Sequence, residues 1–351
     1  ETLLVLCPLF HYPSFSLSLP FLFILREDRG HLTSMRLICP CVIFLWLFQF
    51  RFRLIHQNSS EITMAARLPV ALITGTNSGV GLSLSVLLAA NHQVFAGMRG
   101  LSDKKREALD KAAADAGVQG NITVLNLDVN SDESVESAVK TMLEATGGRC
   151  DVLVNNAGYS VAGGVEMLSM DQVKSQFETN VYGVIRCQKA VLPTMRKQRS
   201  GKIVNLSSVG GVWGQPFNDV YCASKFAIEG MAESQAAVFR TFGVRVTSVQ
   251  PGAIKTAFWQ NVDRPDMAKV PAEYHAPLQS TMAAYAQSGG AGQTPEEVAQ
   301  VIIDKVISVD EPPLKVQTSE VIMPVVKGQL VDTTGEFGVD IAVKRFMPKS
   351  E

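Results

Sequence analysis

Tyr221 and Lys225 stand four residues apart, and Ser208 lies thirteen residues before the tyrosine. On a helix that spacing puts the phenol and the ammonium on one face, one turn apart. A free phenol titrates at about pH 10 and exchanges protons poorly at neutrality. A fixed ammonium beside it favours the phenolate and lowers its pKa, so the pair reads as an acid–base device. Ser208 ends an apolar, strand-like run, where its hydroxyl is suited to hold a substrate oxygen beside the phenol. Taken alone, a Tyr-x-x-x-Lys pair is more readily a solvated helix face than a site. Its meaning depends on what the chain places upstream.

Upstream is a nucleotide-binding pattern. Val70–Thr74 reads as a buried strand, and Leu82–Ala90 is apolar, helix-favouring and free of proline. Between them runs Gly75-Thr-Asn77-Ser78-Gly79-Val80-Gly81. Strand, glycine turn and helix together aim backbone N–H groups and a helix N-terminus at a pyrophosphate. Gly75 permits the tight turn, Gly79 the close approach of phosphate, and Gly81 close helix–strand packing. Asn77, Ser78 and Val80 complete the turn, and the Ser78 hydroxyl offers a further bond to phosphate. The next strand, Gln93–Met98, ends in Arg99. A carboxylate there would bind the ribose 2′-hydroxyl of NAD, whereas a cation suits a 2′-phosphate. The reading therefore favours NADP(H) over NAD(H).

These residues together resemble the short-chain dehydrogenase/reductase family over about residues 68 to 318. Thr74–Gly81 looks like its cofactor signature. Leu127-Asp128-Val129 resembles the strand end that touches adenine, and Asn155-Asn156-Ala157-Gly158 its strand-to-loop element. The resemblance makes Asn180, Ser208, Tyr221 and Lys225 the catalytic positions, with Lys225 also holding the nicotinamide ribose. Pro251-Gly252 and Thr256 match the loop that closes on the nicotinamide. Ser208–Gly230, Thr256-Ala-Phe258 and Thr294–Ala299 are similar to the branch of estradiol 17-beta-dehydrogenase type 1 and the photoreceptor retinol dehydrogenases. That branch implies a lipophilic alcohol or ketone, steroid- or retinoid-like. Residues 259–293 fall where a substrate-covering segment belongs, and little there matches the branch. His275 lies in it, more readily incidental than a pocket residue. The family also implies a dimer or tetramer, bordered by Pro193–Gly201 and Val220–Phe242.

From Pro69 onward, apolar runs alternate with helical patterns. Strands are expected at Val70–Thr74, Gln93–Met98, Ile122–Leu127, Asp151–Asn155, Lys202–Leu206, Arg245–Gln250 and Leu314–Gln317. Repeated βα units imply an α/β fold: a single Rossmann-type, doubly wound domain with about seven parallel strands and helices on both faces. The expected domain spans 64–320, followed by a tail, 321–351, that either packs beside the substrate pocket or trails.

Composition narrows the rest. A net charge of −1 and a pI near 6.6 give no basic field for nucleic acid. Six cysteines show neither disulfide-framework nor zinc spacing, which points to reduced thiols and a cytoplasmic setting. Residues 1–63 do not share the βα pattern. They are expected to form a leader without regular packing, with Met64 starting the compact enzyme. The alternative is an anchor through the apolar residues 37–50, which would tether the enzyme to the endoplasmic reticulum or another membrane. That run is short of the roughly 20 residues a spanning helix needs.

The expected chemistry is reversible hydride transfer between NADP(H) and a carbonyl or secondary-alcohol carbon. Tyr221 gives or takes the proton, Ser208 steadies the developing charge, and Asn180 positions a water that relays protons through Lys225. Two other readings remain: a non-catalytic NADP-binding regulator, and a reductase of small non-lipid carbonyls. Sugar epimerases reuse the Tyr/Lys pair but usually need a larger C-terminal domain than the hundred residues after Pro251.

Overall fold

The computed structural model describes residues 2–7, 21–28, 31–38, 68–256, 258, 262–334 and 336–347, in two units, Glu1–Arg67 and Leu68–Glu351. In the first, β1 (Thr2–Cys7), β2 (Phe21–Asp28) and β3 (His31–Ile38) pair antiparallel. The sequence suggests no regular element there. The strands differ from that expectation because Leu-, Ile- and Phe-rich runs carry β propensity even without polar alternation. Residues 39–50, most of the candidate anchor, and Met64 lie outside the described residues.

In the second unit, period-two alternation builds the sheet. Within β4 (Val70–Thr74), Val70 and Leu72 enter one core while Ala71 and Ile73 enter the other. A strand apolar on both faces must be covered on both. β5 (Gln93–Met98), β6 (Ile122–Asn126), β7 (Val152–Asn155), β8 (Gly201–Leu206), β9 (Val244–Gln250) and β10 (Lys315–Gln317) complete it. Each lies within one residue of its expected bounds. All pair in parallel, in the order β10-β9-β8-β7-β4-β5-β6. The winding direction reverses between β4 and β7, which opens the crevice where such sheets bind ligands.

Helices cover the two faces. α1 (Gly79–Leu88) follows β4, α2 (Asp103–Asp115) follows β5, and α3 (Asp132–Thr146) follows β6. α4 (Met170–Phe177), α5 (Gly183–Gln198) and α6 (Asp219–Arg240) come next. Met142 of α3, Val191 of α5 and Ala232 of α6 fill one core. Leu84 of α1 fills the other, with Val298 and Ile302 of α8 (Pro295–Ile302). α7 (His275–Gly290) lies between β9 and α8.

A third core settles the question of the tail. α9 (Met323–Val331) and α10 (Glu336–Phe346) bring Val326 and Phe346 against Val209, Trp213 and Tyr285. The Trp213 indole donates to the Gly338 carbonyl at 3.0 Å, and the Phe346 ring lies 4.9 Å from that of Tyr285. The tail therefore packs on the segment that follows Ser208. No helix among the described residues is long and apolar enough to cross a membrane.

Phe346 is 1% exposed. Phe346→Ala should destabilise the fold by about 3–5 kcal/mol, read as a lowered urea midpoint. An unchanged midpoint would separate the tail from the folded unit.

Candidate active site

The glycine turn is built from the end of β4 outward. Gly75 and Gly79 adopt φ of +70° and +58°, the left-handed region where a side chain is strained. Thr76 donates from both its backbone and its hydroxyl to the Gly97 carbonyl of β5. Ser78 caps α1, but its hydroxyl makes no cap hydrogen bond. Gly81 is tighter than expected, and against a different neighbour. A Cβ there would lie 2.4 Å from Asn156 Nδ2 and 2.4 Å from the Gly75 oxygen, so it fits α1 to the loop after β7.

That loop is pinned to the turn. The Asn156 and Ala157 N–H groups both donate to Thr74 Oγ1 at 3.0 Å. Asn156 Nδ2 donates to the carbonyls of Thr74 and Gly75, at 2.7 and 2.9 Å. From the far side, Thr256 reaches the turn: its methyl would stand 3.4 Å from a Cβ on Gly79. Pro251 leads into this segment, and its carbonyl accepts from Val209 N at 2.8 Å. Gly252 lies against Ile322, whose methyl would stand 2.8 Å from an added Cβ. A helix N-terminus, left-handed glycines and a capping hydroxyl without a cap bond suit the phosphates of a dinucleotide. Asn77 and Val80 belong to the same turn.

Arg99 stands exposed at the end of β5, beside the turn. The Lys105 ammonium donates to its carbonyl at 2.8 Å, which adds a second cation at this edge. Asp128 and Val129 follow β6. The Asp128 carboxylate accepts from Asn130 N, and Val129 is buried against Gly183, so neither side chain is simply open.

The catalytic candidates converge from three elements. Asn180 lies in a π-helical turn, Glu178–Tyr182, between α4 and α5. Such turns often mark functional sites. Its Nδ2 donates to the Tyr159 carbonyl and to Ser224 Oγ, each at 3.1 Å, and its Oδ1 accepts from Tyr159 N at 3.2 Å. Gly158 fits between two of the candidates: an added Cβ would lie 3.1 Å from Asn180 Oδ1 and 3.8 Å from Lys225 Nζ. Ser208 opens a tight turn after β8 and accepts from Gly210 N at 3.0 Å. Its hydroxyl proton stays available to the Tyr221 phenol, whose ionised form it favours.

One electrostatic expectation needs correction. Tyr221 is half-buried, yet its hydroxyl is closely surrounded, and burial pushes the phenol up to about 12. Burial also pushes Lys225 down to about 8. Lys225 Nζ donates to the Leu206 carbonyl at 2.8 Å and sits 5.7 Å from the centre of the Tyr221 ring. Desolvation is the largest influence on each group and penalises its charged form. Tyr221 is thus held as a neutral acid.

The segment expected to cover substrate is tied to this centre. Asp263 N donates to the Ser160 carbonyl, and Ala162 N to the Asp263 carbonyl. A cavity of about 240 Å³ is lined by Ala162, Pro265, Met267, Leu278 and Met282, with Arg264, His275 and Gln279 as polar members. His275, an exposed residue, stands at the edge of this cavity, with Nε2 3.1 Å from the Val270 carbonyl. The Phe258 ring meets Tyr221 edge-on at 6.1 Å. Residues 259–261 lie outside the described residues.

A family model described as short chain dehydrogenase matches residues 69–266. The chain belongs to the short-chain dehydrogenase/reductase family. It is 41% identical over 286 residues to retinol dehydrogenase 8 of Homo sapiens, covering 79% of this chain and 89% of that one. It is 38% identical over 278 residues to 17-beta-hydroxysteroid dehydrogenase type 1 of Homo sapiens, covering 76% and 82%. ElxO, solved with NADP bound, shares the fold with a TM-score of 0.58 and 26% identity, over 72% of this chain and 99% of that one. The chain is an oxidoreductase of this family acting on CH–OH groups with a nicotinamide cofactor, in the retinol and hydroxysteroid dehydrogenase branch.

Sequence reasoning missed several residues of this short-chain dehydrogenase. Thr74 enters the sequence reading as a strand end and the first residue of the cofactor signature, but not as the anchor of the Asn156 loop that its hydroxyl proves to be. Gln176 is fully buried, accepts from Val161 N at 2.7 Å and donates to the Tyr159 carbonyl at 2.8 Å. Nothing in the spacing marks it. Gly81→Ala would force the turn away from Asn156. It should lower stability by about 1–3 kcal/mol and weaken nicotinamide-nucleotide binding, measured by thermal shift with and without nucleotide. An equal response in wild type and variant would remove Gly81 from the nucleotide site.

Proposed function

We propose that the chain is an NADP(H)-dependent oxidoreductase of lipophilic alcohols and ketones, steroid- or retinoid-like in size and polarity. The observation that carries this reading is the convergence of Asn180, Ser208, Tyr221 and Lys225 near the glycine turn, and a mostly apolar cavity in the segment tied to the Ser160–Ala162 loop supports it. Relatives named for retinol and for a hydroxysteroid support the substrate class. Arg99 carries the preference for NADP(H), as a cation where NAD-binding chains use an acid, and Lys105 reinforces it.

The glycine turn and Ser78 hold the phosphates in this reading, and Asp128 and Val129 border the adenine. Asn156, Ala157, Gly158, Pro251, Gly252 and Thr256 enclose the nicotinamide half. The cofactor supplies or accepts the hydride. As a neutral phenol, Tyr221 is set to donate a proton to a carbonyl oxygen, the step that carbonyl reduction requires. Ser208 steadies charge on that oxygen, while Lys225 and Asn180 restore the proton to Tyr221. Two copies, or four, assemble through α5 and α6. Free, buried Cys150, Cys187 and Cys222 suit a cytoplasmic setting.

Turnover is tested by NADPH oxidation across steroid ketones, retinal and short carbonyls. Tyr221→Phe should lose about 1,000-fold in kcat while still binding NADPH. Wild-type turnover in that variant would remove Tyr221 from the chemistry. NADPH binding without turnover of any carbonyl by the unaltered chain would favour a regulatory role. Arg99→Ala should weaken NADPH binding by about tenfold and leave NADH nearly unchanged, measured by fluorescence titration. Equal losses for both nucleotides would remove the 2′-phosphate role.

A further inference from the structure

Glu229 follows Lys225 by one more turn of α6, so Tyr221, Lys225 and Glu229 share a face at intervals of four. It is 5% exposed, and carboxylates are rarely so buried unless paired. Neither of its oxygens has a close hydrogen bond among the described residues. Burial pushes the Glu229 carboxyl up, while the Ser207 hydroxyl and the Gln250 amide beside it favour its ionised form. Its nearest cation, Lys315, stands 3.9 Å away. Gly211 shows how closely these groups meet. A Cβ there would lie 2.7 Å from Ser207 Oγ, 3.0 Å from the Lys225 carbonyl oxygen and 3.1 Å from Glu229 Cγ. An incompletely bonded carboxylate in such a place lowers stability. The hydride reaction as derived above does not use it.

We propose that Glu229 is a positioning residue whose negative charge, set behind Lys225, keeps that ammonium protonated and in place. This role rests on the oxidoreductase reading, in which Lys225 serves Tyr221. Burial depresses Lys225, and the field of Glu229 opposes that depression. Around Lys225 stand Tyr221 on its own helix, the Leu206 carbonyl from β8, and Asn180 across Gly158. Around Glu229 stand Ser207 after β8, Gln250 from β9, Lys315 from β10, and Glu233 one turn further along α6. Glu233 repels the Glu229 charge, but it also pairs with Lys315 at 2.5 Å and so holds that cation near the buried carboxylate. The sign follows. Without the Glu229 charge, Lys225 gives up its proton at lower pH, and the alkaline limb of turnover moves toward acid.

Glu229→Gln keeps the shape and removes the charge. Carbon-13 lysine NMR titrates Lys225 in the cofactor-free full chain, and kcat is measured against pH in parallel. The Lys225 midpoint should fall by about one pH unit and the alkaline limb should follow it. Glu229→Asp should restore most of both. An unmoved midpoint in a folded Glu229→Gln chain overturns the role. Carbon-13 glutamate NMR of the unaltered chain decides independently of any variant that fails to fold. Glu229 should be ionised throughout the Lys225 titration, and a carboxyl that stays neutral there overturns the role. A chain that turns over no carbonyl would fail the oxidoreductase reading instead, while both NMR titrations would still decide whether Glu229 sustains the Lys225 charge.

Discussion

The Thr74 hydroxyl is the point on which the site depends. It receives the Asn156 and Ala157 N–H groups and so joins the end of β4 to the end of β7, across the crevice where the winding of the sheet reverses. The Asn156 amide completes the joint on the Thr74 and Gly75 carbonyls. One consequence is steric: Gly81 must lack a side chain, because Asn156 and Gly75 already occupy its space. Another is positional: Gly158, three residues beyond β7, is delivered between Asn180 and Lys225. The glycine turn and the candidate catalytic centre are therefore held by one set of hydrogen bonds.

Burial sets the character of the candidate catalytic groups. Tyr221 and Lys225 lie close, yet desolvation raises one and lowers the other, so neither gains charge from the pairing. The Lys225 ammonium is tied to the Leu206 carbonyl over the phenol ring, away from a direct bond to the hydroxyl. A buried cation of this kind needs compensation from its surroundings. The backbone carbonyl supplies part of it. Glu229, on the same helix face and equally enclosed, supplies the opposite charge.

The segment expected to cover substrate, and the tail, carry no motif. Segment 262–293 is stitched to the Ser160–Ala162 loop, and the tail helices α9 and α10 brace Trp213 just beyond Ser208. Met282 lines the cavity and also packs with that third core, which links the pocket wall to the tail. Apolar residues on short helices give no sign in sequence of which surface they will cover. The tail therefore could not be placed without the fold.

The strands, their parallel arrangement and the glycine turn were legible in the sequence, and so were the candidates for catalysis. Each rests on local rules: alternation within a strand, the φ that glycine permits, and the four-residue turn that aligns Tyr221 with Lys225. The roles of Thr74, Gln176 and Glu229, the pocket position of His275 and the packing of Phe346 were decided only by tertiary structure. Most of these depend on partners that spacing does not flag, from the 15 residues between Val161 and Gln176 to the 82 between Thr74 and Asn156. The charge state of Tyr221 belongs with them. Spacing put an ammonium near the phenol, but the surrounding protein decides how far each is removed from water, and that removal sets the stronger effect.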